Sequence, residues 1–166
     1  MQADGTLAAH VHAALRAAGA TIAVAESLTG GLVGGRLSAE PGASVTFRGG
    51  VIAYATAVKH EVLGVDGELL ARVGAVHPDV ARAMAVGVRR LLGATYGLAL
   101  TGVAGPDPQD GQPPGTLHLA VACPLGTATA APRLPAADRS GARDRAVDAA
   151  LELVLGLLRG EVHATS

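Results

Sequence analysis

Three short segments of the chain carry side chains that could do chemistry. The first is Glu26-Ser27-Leu28-Thr29-Gly30-Gly31, two hydroxyls and two glycines directly behind an apolar run. Glycine lets backbone N–H groups close in on an anion, and a helix start adds positive potential, so Ser27, Thr29 and Gly30 could hold a phosphate. The same residues also fit a plain helix cap, with Ser27 or Thr29 bonding the first turn, and taken by itself the segment favours the cap. A Walker lysine motif is excluded, because Arg36 and Leu37 follow the glycines. The second segment holds Tyr54 and Lys59. Lys59 is predicted in the first turns of a helix, where the dipole disfavours a cation. A lowered pKa or a bound anion would relieve that, and a neutral lysine can act as a general base; a solvated surface lysine is the ordinary alternative. The third segment, Thr101-Gly102-Val103-Ala104-Gly105-Pro106, repeats the formula of hydroxyl plus glycines. Two such loops together point to a phosphorylated or nucleotide-like ligand. Arg139 and Arg143 open the last helix, again the wrong end for cations unless an anion is near; pairing with Asp138 and Asp144 is the common surface outcome.

These residues need a scaffold, and the sequence outlines one. Leu7, Val11 and Leu15 at helical spacing, ended by Gly19, predict a helix over 6–18. The apolar runs 21–25, 50–55, 96–101, 116–122 and 127–134 read as strands. Helices are expected over 32–38, from Thr56 past Lys59 toward Leu63, over 66–73, and from Pro78 along the stripe Val80, Met84, Val88, Leu91 and Leu92 to Gly93. Val147, Leu151, Val154, Leu155 and Leu158 give the final helix one apolar face, and the Pro- and Gly-rich stretch 102–115 is a loop. Alternating strands and helices followed by two successive strands predict a three-layer α/β/α fold. Its mixed, mostly parallel sheet has about five strands, with an antiparallel hairpin near one edge. The three segments then lie at strand ends, where ligands of open α/β sheets bind.

Composition narrows the function classes. The 166 residues make one domain, and 49% hydrophobic against 16% charged residues excludes disorder. Thirteen basic residues against 14 acidic ones argue against nucleic acid as a partner. With 2% aromatics and no Trp, base-stacking platforms are nearly impossible. Cys123 stands alone, so no internal disulfide forms. The six histidines make no ligand cluster, and His10 and His12, two apart on a helix, face different ways, so neither a metal nor another cofactor is expected. No apolar stretch approaches ~18 residues, so no membrane partner is expected. Met1 to His10 resembles no secretory leader, and the cytoplasm is the expected location.

Ala25-Glu-Ser-Leu-Thr-Gly-Gly31, Pro41-Gly-Ala-Ser44, Gly49-Gly-Val-Ile-Ala-Tyr54, Lys59, Leu63-Gly-Val65, Gly74-Ala-Val76, Thr101-Gly-Val-Ala-Gly-Pro106 and Gly115-Thr116 follow one another in the chain. Together they resemble the C-terminal domain of the competence/damage-inducible CinA family, which also occurs as a stand-alone nicotinamide mononucleotide deamidase. The likeness runs from about Leu7 to Leu158, and the stand-alone form is the expected one. It implies a metal-independent serine–lysine amidohydrolase that converts nicotinamide mononucleotide to nicotinate mononucleotide and ammonia, acting as a homodimer. Carried over by position, Ser44 is the nucleophile, Lys59 its base and Tyr54 a helper, with Ser27, in the stronger motif, as the alternative nucleophile. Ser27, Thr29, Gly30, Thr101, Gly102, Gly105 and Arg139 would line the nucleotide pocket. Thr56, His77, Gln112, Pro114 and Ala136-Ala137 depart from the family's usual residues. The competing reading is a non-catalytic nucleotide-binding accessory domain; only the enzyme requires a serine and Lys59 together.

Overall fold

The computed structural model describes residues 5–135 and 138–166, so the departure at Ala136-Ala137 lies outside the described residues. Strand β1 (Ile22–Glu26) lies between β2 (Phe47–Ile52) and β3 (Tyr96–Gly102) and is parallel to both. β4 (Leu117–Cys123) runs antiparallel to β3, and β5 (Gly126–Ala130) antiparallel to β4, giving the order β2-β1-β3-β4-β5. The α/β fold with a mixed five-stranded sheet is therefore as the sequence predicts.

The pleat sorts large and small residues onto opposite faces. Ile22, Val24, Leu98, Leu100, Leu119 and Val121 meet α1 (Leu7–Ala17), α2 (Leu32–Ser38) and α6 (Arg139–Leu158). Ala23, Ala25, Ala99, Ala120 and Ala122 form the other face, packed with Val80, Ala81, Met84, Ala85 and Val88 of α5 (Pro78–Leu91). Two short helices, α3 (Thr56–Glu61) and α4 (Gly67–Val73), precede α5, and Leu63, Val65 and Leu70 join this second core. A core without tryptophan is thus filled by branched aliphatics on one side and by close helix–sheet approach over alanine on the other.

Register sets the site. Glu26 lies beside Ile52 and Ala25 beside Ala99, so β1 and β2 end level while β3 continues to Gly102. Two boundaries differ from expectation with consequences for chemistry. β2 starts earlier and stops at Ile52, which leaves Tyr54 in the following loop and not at the strand's end. α3 stops at Glu61, short of Leu63, so Lys59 falls in its last turn. The final strand also ends sooner, at Ala130. No helix among the described residues is long and apolar enough to cross a membrane.

Candidate active site

A cavity of about 300 Å³ opens outside the carboxyl ends of the three parallel strands. Ser27 and Leu28 line it from the loop after β1, Tyr54 from the loop after β2, and Gly102 to Gln109 from the end of β3 onward. Arg139, the first residue of α6, closes the remaining side.

Lys59 lies directly behind this cavity and is only 1% exposed. Its amine donates to the Ala53 carbonyl at 2.6 Å and to Ser27 Oγ at 3.1 Å. Burial pushes its pKa down to about 8, with the Asp110 carboxylate acting in the opposite direction. The cause is desolvation, not the positive end of a helix, because Lys59 sits in the last turn of α3. Composition gives the same position a second meaning. Twelve of the 13 Lys and Arg residues are arginine, and Lys59 is the lone lysine. A guanidinium stays charged in a protein, whereas a desolvated amine can lose and accept a proton. The chain's only lysine therefore occupies a buried position beside a hydroxyl, where a proton acceptor is useful.

Ser44 does not join this group. It lies in a 3-10 turn, Ala43–Val45, that feeds the amino end of β2, while Ala53 and Tyr54 leave the carboxyl end of the same strand. Six strand residues at about 3.3 Å each put roughly 20 Å between the two ends, and Ser44 is exposed at the far one. The structure brings Ser27, and not the expected Ser44, to Lys59.

The remaining expected residues divide. Ser27, Tyr54, Gly102, Gly105 and Arg139 line the cavity. Arg139 donates to the Gly105 carbonyl at 2.7 Å and to the Tyr54 hydroxyl at 3.0 Å, joining the outer walls of the pocket. Thr29, Gly30 and Thr101 do not line it. Thr29 is buried behind the loop, with no hydrogen-bond partner for its hydroxyl among the described residues. Gly30, exposed at φ +57°, turns the chain, and its N–H donates to the Ser27 carbonyl. Thr101 Oγ1 donates to the Ala75 carbonyl at 2.7 Å. Among the described residues, neither arginine at the start of α6 pairs with an aspartate. Arg143 instead donates to the Leu28 and Thr29 carbonyls at 3.0 Å each, and Asp138 caps α6 through the Gly141 N–H.

The amides at the start of α2 are taken by Glu26, so neither an anion site nor the cap expected from Ser27 or Thr29 forms there. Glu26, 1% exposed, accepts from the N–H groups of Gly31 at 3.0 Å, Val33 at 3.1 Å and Gly34 at 2.8 Å. The sequence signal for this role is an acid at the end of a buried run, just before a helix. Glu26→Ala strands those donors beside the core and is expected to lower the unfolding free energy by about 2–3 kcal/mol. Glu26→Gln, which keeps an acceptor, costs less. Urea denaturation of the two variants checks both the loss and its order.

Comparisons with known proteins agree with this architecture. The family described as CinA C-terminal domain matches residues 4–158. A CinA-like protein of Frankia casuarinae is 56% identical over 158 residues, covering 95% of this chain and 36% of that protein. A CinA-like protein of Anaeromyxobacter dehalogenans is 50% identical over 150 residues, 90% of this chain and 36% of its own length. The chain therefore spans about a third of the length of these curated relatives. Among solved structures, a CinA superfamily protein from Klebsiella pneumoniae superposes with a TM-score of 0.89 at 31% identity, covering 93% of this chain and 96% of that one. The competence/damage inducible protein CihA from Agrobacterium tumefaciens gives 0.87 at 31% identity, covering 95% and 99%. With the family pattern running over nearly its whole length, the chain belongs to the CinA C-terminal domain family.

Proposed function

We propose that this domain hydrolyses the carboxamide of nicotinamide mononucleotide to nicotinate mononucleotide and ammonia, with Ser27 as nucleophile and Lys59 as its base. The observation that carries the reading is the buried amine of Lys59, 3.1 Å from the hydroxyl of Ser27 at the edge of an open cavity. The nature of the amide comes from the family resemblance of the sequence.

The chemistry follows from those groups. A serine hydroxyl is a weak nucleophile until a base takes its proton. Neutral Lys59 keeps one N–H on the Ala53 carbonyl and turns its lone pair toward Ser27. As Oγ attacks the carboxamide carbon, its proton passes to the amine. The resulting ammonium then protonates the departing nitrogen, the C–N bond breaks, and ammonia leaves with an ester on Ser27. Water attacks that ester while Lys59 takes its proton, the ammonium returns that proton to the departing Ser27 Oγ, and the acid is released. Leu28, Ala104 and Gly105 line the pocket, and their amides have no acceptor among the described residues. They are the donors available for the tetrahedral oxyanion. Arg139 supplies the positive charge for the nucleotide's phosphate, and its bond to the Tyr54 hydroxyl orients that ring over the pocket.

The test is ammonia release from nicotinamide mononucleotide by the purified protein, across pH and with exhaustive chelation. Only the neutral amine is active, so with a pKa of about 8 roughly one molecule in ten is competent at pH 7. kcat/KM is expected to rise about tenfold per pH below 8 and level off above it. Chelation is expected to leave the rate unchanged. Loss on chelation restored by zinc or manganese overturns the serine–lysine mechanism. Binding of the nucleotide without ammonia release favours the accessory-domain reading.

A further inference from the structure

The loop that walls the cavity is pinned to the turn between α4 and α5 at one residue. Ala75, in the turn between α4 and α5, is buried, and both of its backbone groups are engaged by side chains from the β3 side. Asp110 Oδ2 accepts from the Ala75 N–H at 2.8 Å, and Thr101 Oγ1 donates to the Ala75 carbonyl at 2.7 Å. Thr101 lies near the end of β3, before the cavity wall, and Asp110 comes just after Gln109, the wall's last residue. The wall is thus tied to the same residue at both of its ends.

The backbone is adapted to this docking. Asp110 is the one described residue other than glycine with positive φ, at 49°. That conformation is uncommon outside glycine, and Asn and Asp tolerate it best. Opposite it stands Gly74, where a Cβ would lie 2.9 Å from Asp110 Cβ and 3.1 Å from its carboxylate carbon. A side chain at position 74 would push the carboxylate off the Ala75 amide.

The carboxylate also bears on the lysine. On β1, Glu26 gives both oxygens to the amides of α2. Across the cavity, Arg139 is engaged by the Gly105 carbonyl and the Tyr54 hydroxyl. Asp110 is the charged group whose field acts on the Lys59 amine, and it favours the protonated form.

We propose that Asp110 is a positioning residue of this site, fixing the far end of the cavity wall to Ala75 as Thr101 fixes the near end. The proposal rests on the serine–lysine reading for its effect on rate, but not for its effect on nucleotide binding. Asp110→Asn keeps an acceptor for the Ala75 N–H and tolerates the left-handed backbone, so it removes the charge while leaving the wall in place. Asp110→Ala removes the tether as well.

Because Lys59 is the chain's only lysine, its titration can be followed directly by NMR on protein labelled at lysine Cε. In Asp110→Asn the Lys59 midpoint is expected to move to lower pH than in the parent protein. The acid limb of kcat/KM for ammonia release should move with it, at unchanged KM. Asp110→Ala is expected to raise KM in addition, by roughly three- to tenfold. An Asp110→Ala variant with parental KM overturns the proposal, as does an Asp110→Asn variant whose KM rises as much as that of Asp110→Ala. A parent that binds the nucleotide but releases no ammonia, combined with weaker nucleotide binding in Asp110→Ala, overturns the proposed reaction and leaves the positioning role of Asp110 standing.

Discussion

Ser27→Ala is expected to abolish ammonia release from nicotinamide mononucleotide, lowering kcat by roughly 10³–10⁶-fold, the range seen when a hydrolase loses its nucleophile. Ser44→Ala is expected to leave kcat within about twofold and stability within about 0.5 kcal/mol, as for an ordinary surface substitution. The contrast follows from placement. Ser27 accepts a hydrogen bond from Lys59 and lines the cavity, whereas Ser44 is exposed at the opposite end of β2. Thermal melting confirms folding, and calorimetric titration with the nucleotide separates lost chemistry from lost binding. An inactive Ser27→Ala that still binds ligand fits the nucleophile role. An active Ser27→Ala, or an inactive but folded Ser44→Ala, refutes the Ser27–Lys59 pair.

Lys59→Arg is expected to be nearly as inactive as Lys59→Ala, each losing about 10²–10⁴-fold in kcat, the usual contribution of a general base. Arginine keeps the positive charge but cannot accept a proton at any pH the fold survives. It would also bring a larger, permanently charged group into a position only 1% exposed. Lys59→Met serves as the control for packing, since it keeps an unbranched apolar stem and removes only the amine. If the lysine acts merely by attracting an anionic substrate, arginine retains most of the activity, and the base lies elsewhere. Rates for the three variants, with nucleotide affinity measured alongside, decide between the two roles.

Much of the scaffold was legible because it rests on periodic burial. Leu7, Val11 and Leu15 recur at helical spacing, and Val11 and Leu15 are buried in α1 with Leu7 half-buried beside them; Val80, Met84 and Val88 form the buried stripe of α5. Gly19 and Gly93 stand just past those helices, at φ +60° and +59°. Short apolar runs became strands because chain hydrophobicity and sheet burial are both local properties of a few residues. Boundaries were less secure where β2 begins. Phe47, Arg48 and the two glycines after them carry little strand signal, and it is pairing with β1 that makes them a strand.

The sequence by itself determined the α/β class and singled out Lys59 and Ser27, which the structure brings together beside a cavity at the strand ends. What it could not decide is which polar groups meet. The family resemblance paired Ser44 with Lys59, but an intervening strand carries those residues to opposite ends of the sheet, while β1 and β2 run side by side and bring Ser27 to Lys59. The first glycine loop promised an anion site, but the carboxylate of Glu26 fills it, because β1 ends beneath the amides of α2. The two arginines at the start of α6 promised phosphate contacts, but Arg143 is spent on the carbonyls of Leu28 and Thr29, more than a hundred positions away. Hydrogen-bond partners are chosen by the three-dimensional packing of buried donors and acceptors that must all be satisfied together. That choice depends on strand order and register, which no local window of the sequence contains.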